Sequence, residues 1–288
     1  MTLNQVYNVD NINEVIEILG NFGKDAKIIA GGTDIVIALK NEKISPKVLI
    51  DITKIEDLKK IEDDGEYITL GAGVTFTNIV ENHLFRGNLW GLYKACRMVG
   101  SPQIRNKGTI GGNIANGSAA ADSIPPLIAL GSIVRLVSIE GVREISLEDY
   151  YTDPIKENEL ITEIKFIKPK GNQVLTFAKL GLRKALAISR LTSASLVEFD
   201  SEGFINSIRV ASGALGKYPM REYEVENYLI GKKIREETVE GAIETLQNSM
   251  DERLKGRSTL PYKRVAISGI LRETLESAMT IGSEVAAW

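Results

Sequence analysis

Two glycine pairs carry the residue types best suited to hold an anion. In AKIIAGGTDIVIALK, residues 26–40, an apolar run enters Gly31 and Gly32, then Thr33 and Asp34, before turning apolar again. In GSPQIRNKGTIGGNIANGSAAADSIPPLIAL, residues 100–130, Gly111 and Gly112 are flanked by Thr109 and Asn113, with few large side chains immediately after them. Glycine lets the backbone approach a ligand closely, successive N–H groups in such turns can form an anion-binding concavity, and Thr or Asn adds a hydrogen bond. Two such concavities suit a pyrophosphate if the fold brings them together. One Gly-Gly-Thr turn alone has a plainer use, reversing the chain. Neither pair matches the G-x-G-x-x-G turn of a Rossmann site, LGAG at residues 70–73 lacks the last glycine of that pattern, and a Walker sequence is absent.

The elements that must position these turns mix helix and strand. Ile12, Val15, Ile16 and Leu19 recur at helical spacing after Asp10 and Asn11, which predicts a first helix over residues 11–20. KIIA, KVLIDI, YITLGAG and IVRLVSI read as strands, and SIPPLIAL, residues 123–130, as a helix opened by prolines. After Pro169, Lys170 and Gly171 three strands follow in succession, VLTFAKLG, ISRLTSASLVEFD and FINSIRVASGA, with a turn at DSEGF. The end is helical, opening near Pro261, with Val265, Ile270, Leu271 and Leu275 as an inward stripe.

Composition narrows the classes of function. At 288 residues two domains are expected, and 43% apolar with 25% charged residues is ordinary globular content. With 35 basic and 38 acidic residues the formal charge is −3, so there is no cationic excess to neutralise a nucleic acid or coat an anionic membrane. No run has the length of a membrane span and the start lacks the features of a signal peptide, which points to a cytoplasmic protein. Cys96 and His83 are the only residues of their types, which excludes an internal disulfide, a multi-cysteine zinc site or an iron–sulfur cluster held by this chain alone.

IIAGGTDIVIALK followed by SPQIRNKGTIGGNIANGSAAADSIPPLIAL resembles the FAD-binding subunit of the molybdenum hydroxylases, the family of bacterial xanthine, carbon monoxide and nicotinate dehydrogenases. The resemblance continues through FAKLGLRKALAISRLTSASLV and GALGKYPMREYEVENYLIG, so it covers nearly the whole chain. It implies an α+β fold: a vanillyl-alcohol oxidase (PCMH)-type FAD-binding domain over residues 1–170, with subdomains of about 1–55 and 56–170, and a C-terminal α+β domain over 174–288 with a small antiparallel sheet and helices. It also assigns a first pyrophosphate loop to Ile28, Ile29, Ala30, Gly31, Gly32, Thr33, Asp34 and Ile35, and a second to Thr109, Ile110, Gly111, Gly112 and Asn113. Ile104, in the loop Ser101–Arg105 near the flavin ring, together with Asp122, Ile161 and Lys179, completes the implied FAD contacts. No catalytic residue and no metal ligand is implied in this chain. The molybdenum cofactor and 2Fe–2S clusters belong to partner large and small subunits, and electrons would leave FAD for NAD or another acceptor.

Several of these residues have other uses. Asp122 could cap the helix beginning near Ser123, Lys179 could snorkel from a sheet, Ile161 could be core and Arg105 could join a surface ion pair. A positive group such as Lys179 or Lys184 beside reduced flavin would stabilise its charge. Animal xanthine dehydrogenases carry an acidic run where this chain reads RKALAIS, residues 183–189, so Ala185, Leu186 or Ala187 replaces the carboxylate associated there with NAD. The aromatic residue those enzymes place against the flavin aligns with Val99. KALAIS resembles bacterial members that hydroxylate purines or nicotinate. Two other readings are a self-sufficient FAD-dependent oxidase and an assembly subunit that has lost FAD.

Overall fold

The computed structural model describes residues 3–153, 158–183 and 186–285. The chain forms two compact units that do not follow sequence order. The first holds the residues up to Asn78 with Ser101–Gly117 and Ser132–Lys168; the second holds Ile79–Gly100, Ser118–Gly131 and the residues from Pro169 onward.

In the first unit, β1 (Gln5–Asn8), β2 (Ala26–Ile29) and β3 (Val48–Asp51) form a parallel sheet in the order β1-β3-β2. Parallel neighbours require crossovers, and helix Ile12–Phe22 supplies the first. Asn11 stands outside this helix as its cap, accepting from the Glu14 N–H at 3.1 Å, and the helix runs two residues beyond the expected end at residue 20. Its Val15 and Leu19 pack with Val9, Ala26, Val48 and Ile50. β2 lies at the edge of this sheet, paired from Ala26 with Val48 to Ile29 with Asp51, so the glycine loop starts where an edge strand stops.

The same unit contains an antiparallel sheet of β4 (Ile61–Asp63), β5 (Tyr67–Gly71), β6 (Ile133–Ser138), β7 (Gly141–Ser146) and β8 (Leu160–Ile167), in the order β4-β5-β8-β6-β7. Ile68, Leu70, Val134, Leu136, Ile164 and Phe166 are buried, each two residues from the next on its strand, as the pleat demands.

In the second unit, β9 (Gln173–Gly181), β10 (Ser189–Phe199), β11 (Ile205–Gly213) and the two-residue β12 (Met220–Arg221) form an antiparallel sheet in the order β12-β11-β10-β9. Side chains alternate between faces. Ala178, Val197, Ile208 and Val210 pack with Leu246, Met250, Ile267, Leu271 and Leu275 of helices Glu236–Arg253 and Leu260–Val285. The opposite face receives helix Trp90–Arg97, where Gly91 approaches so closely that a Cβ would lie 2.7 Å from the Thr176 carbonyl carbon. The helix opened by prolines spans Ile124–Ala129 and is buried throughout. One expected core position fails: Val265 is 76% exposed and Ile267 turns inward instead. An apolar residue at approximate helical spacing can lie on either side of the stripe boundary, and contact with the sheet decides which.

Candidate functional site

The first unit contains a cavity of about 540 Å³, within the range typical of small-molecule sites. Ile28, Ala30, Gly31, Gly32, Thr33, Asp34 and Ile35 line one side, and Thr109, Gly111, Gly112 and Asn113 another. Leu160, Ile161, Tyr150 and Glu159 also line it, as do Leu19, Ala26 and Lys27. The fold therefore brings the two glycine motifs and Ile161 to one concavity. Ile29, Ile104 and Ile110 are not among its lining residues: Ile110 is fully buried and Ile104 is exposed on helix Pro102–Arg105.

The two glycine turns are built differently. Gly32 has φ +74°, in the region open to glycine, and its carbonyl accepts the Val36 N–H at 3.2 Å as the chain enters helix Ile35–Lys40. Among the described residues, no protein acceptor takes the N–H groups of Gly31, Gly32, Thr33 and Asp34. These unpaired donors belong to residues that line the cavity, the arrangement an anion nest needs.

The second turn corrects the expectation of two open nests. Thr109 caps helix Ile110–Asn116, its Oγ1 accepting the Gly112 N–H at 3.0 Å. The Ile110 N–H donates to Val74, that of Gly111 to Ala72 and that of Asn113 to Thr109. The backbone donors of Ile110, Gly111, Gly112 and Asn113 are thus already bonded within the protein, and this motif contributes a close wall. Gly111 is required because a Cβ there would lie 2.5 Å from the Ala72 Cβ. Likewise, a Cβ on Gly31 would collide with the Lys107 carbonyl, so the loop before the second motif braces the first.

Asp122 and Lys179 lie in the second unit, where they meet each other. Lys179 Nζ is 2.5 Å from Asp122 Oδ2, with side chains 5% and 8% exposed, and also donates to the Met98 carbonyl at 3.1 Å. The Ser189 hydroxyl donates to the other Asp122 oxygen. Burial pushes the Asp122 carboxyl above its ordinary range, although Lys179 and Ser189 pull the other way. Neither plain alternative survives: Ser123, not Asp122, occupies the cap position of the following helix, with no side-chain capping bond, and Lys179 does not reach solvent. Arg105 is buried, contrary to a surface ion pair. Lys184 and Ala185 lie outside the described residues.

Sequence reasoning missed Tyr150 and Glu159, which no motif marks. Both Glu159 oxygens accept from Arg143, Oε1 from Nε at 2.6 Å and Oε2 from Nη2 at 2.8 Å, and Arg143 Nη1 reaches Asp153 at 2.7 Å. These hydrogen bonds raise the Arg143 pKa further, so the guanidinium stays charged. A dinucleotide cofactor fits what is present: open donors for phosphate, an apolar recess for a ring and a close glycine wall. Among the described residues there is no cluster able to hold a metal and no helix long and apolar enough to cross a membrane.

Comparison with known proteins identifies the family. The family described as "FAD binding domain in molybdopterin dehydrogenase" matches residues 2–168, and "CO dehydrogenase flavoprotein C-terminal domain" matches residues 176–278. The nicotinate dehydrogenase FAD-subunit of Eubacterium barkeri is 35% identical over 254 residues, covering 85% of this chain and 86% of the relative. The putative xanthine dehydrogenase FAD-binding subunit XdhB of Escherichia coli K12 is 27% identical, covering 88% and 89%. Carbon monoxide dehydrogenase from Hydrogenophaga pseudoflava, in a solved structure lacking the Mo-pyranopterin moiety, superposes with a TM-score of 0.90 at 25% identity, covering 97% of this chain and 98% of that one. The fold and site thus define a flavin-dependent oxidoreductase subunit. The chain belongs to the molybdenum hydroxylase family, as an FAD-binding medium subunit.

Proposed function

We propose that this chain relays electrons between an iron–sulfur subunit and a terminal acceptor, as one component of a cytoplasmic molybdenum hydroxylase complex. FAD, when bound, supplies a centre that exchanges electrons singly or in pairs, which suits it to join 2Fe–2S clusters of a small subunit to NAD or another two-electron acceptor. The observation that carries this reading is the run of unpaired N–H groups from Gly31 to Asp34, on residues that line the cavity. Those donors would hold the pyrophosphate, Gly111 and Gly112 would let the backbone come close, and Ile28 and Ile161, which line the same cavity, would flank the cofactor. Ile29, Ile104, Ile110, Asp122 and Lys179 are assigned to the cofactor on sequence position alone. The oxidised substrate is handled by a large subunit carrying the molybdenum cofactor, and the 35% identity to a nicotinate dehydrogenase subunit supports a heteroaromatic substrate.

Absorption spectroscopy of the purified chain, before and after incubation with FAD and removal of excess, tests the site. Flavin bands at near-equimolar amount are expected. Anaerobic mixing with the reduced iron–sulfur subunit should then bleach them, and an unchanged spectrum would sink the relay.

A further inference from the structure

Tyr150 is 4% exposed and lines the cavity, yet among the described residues nothing hydrogen-bonds to its hydroxyl. Its neighbour Tyr151, packed edge-on at 5.2 Å between ring centroids, donates instead to the Ile114 carbonyl at 3.3 Å. The Tyr150 ring is buried but its hydroxyl stays accessible on the cavity side, so a ligand there can supply the partner that the protein does not. Glu159, on the same cavity wall, is held by Arg143 at each oxygen and accepts no hydrogen bond from Tyr150. Burial, and then the charge of Glu159, push the Tyr150 phenol up to about 12. The group therefore keeps its proton at neutral pH and acts as a donor.

We propose that the Tyr150 hydroxyl donates a hydrogen bond to the adenosine half of the cofactor, within the recess walled by Leu160 and Glu159, and so selects an adenine dinucleotide over a flavin mononucleotide. The inference rests on the FAD reading given above. Leu19, Ala26 and Ile28 give the same cavity apolar surface of the kind a planar base requires, and Tyr150 adds a directional donor. Adenosine offers ring-nitrogen and ribose-oxygen acceptors to Tyr150, and its exocyclic amino group is a donor that the arginine-held Glu159 can also accept. A site built to bond a polar group rejects a ligand that leaves its donor unpaired.

The test is calorimetric titration of the flavin-stripped full chain with FAD, ADP and FMN, for wild type and Tyr150→Phe. In wild type, ADP should compete with FAD and FMN should bind far more weakly. Tyr150→Phe should weaken FAD and ADP alike by about five- to tenfold, the loss of one hydrogen bond, with FMN unchanged and the melting temperature of the stripped protein preserved. Normal FAD binding by wild type with unaltered affinity in Tyr150→Phe overturns this inference alone. Competition by FMN but not ADP overturns it too, by placing the flavin half in the recess. Failure of wild type to bind FAD at all overturns both this inference and the function on which it rests.

Discussion

Gly31 and the Lys107 carbonyl oxygen are packed so closely that a Cβ on residue 31 would lie 1.7 Å from that oxygen. The obstacle is backbone, which cannot rotate away as a side chain could. Gly31→Ala should therefore displace the first loop and abolish retention of FAD through gel filtration. Gly32→Ala faces only side-chain atoms at 3.3 Å or more, and its penalty is the +74° φ, about 1 kcal/mol. It should keep flavin at reduced affinity. Equal flavin retention by the two variants would contradict this ranking.

Lys179→Met leaves Asp122 buried without its cation. A loss of about 3–5 kcal/mol in urea unfolding at pH 7 is expected, since breaking one side of a buried pair strands the other charge. Adding Asp122→Asn to the same chain should recover part of the loss, and strict additivity of the two changes would argue against a coupled pair.

Burial raises the folded-state pKa of Asp122, so the folded protein holds that proton more tightly than the unfolded chain. Stability from this group is fully present below the unfolded carboxylate value of about 4 and is lost as pH rises through the raised value. The melting temperature of wild type minus that of Asp122→Asn should accordingly fall as pH increases from 4. A difference that is flat or grows would count against a raised carboxyl.

Glu222 in the second unit is nearly inaccessible and accepts from Arg253 Nη1 and Nη2, each at 2.8 Å, and from the Ser212 hydroxyl. Arg253→Met should cost about 3–5 kcal/mol by the same reasoning. Chemical denaturation would measure it, and a change below about 0.5 kcal/mol would show that Glu222 finds another partner.

Cys96 is fully buried on helix Trp90–Arg97, and burial pushes its thiol well above the ordinary range. Native protein at pH 8 should be inert to a thiol-exchange reagent, with one equivalent reacting on denaturation. Rapid reaction of native protein would mean that this helix opens locally.

Local chemistry determined much of this protein. The strands at KIIA, KVLIDI and YITLGAG, the capped first helix and the successive strands after Gly171 follow from side-chain period and turn residues, whereas the short helices Ile35–Lys40, Pro102–Arg105 and Ile110–Asn116 at the glycine motifs were not foreseen. The long motifs were also enough to mark the FAD-binding family. Tertiary structure decided what depends on neighbours distant in sequence. Val265 or Ile267 faces inward according to where the sheet lies, and Asp122 is a buried ion-pair partner because β9 and β10 bring Lys179 and Ser189 to it. The second glycine pair has no free donors because Ala72 and Val74 accept them. Residues 79–100 and 118–131 join the C-terminal residues because Leu92, Ala95 and Ile128 are apolar surface to be buried, and β9 and β10 supply what covers them. Tyr150 shows the limit most plainly: a tyrosine in sequence is only a residue type, and the missing partner that gives it meaning exists only after the chain has folded around the cavity.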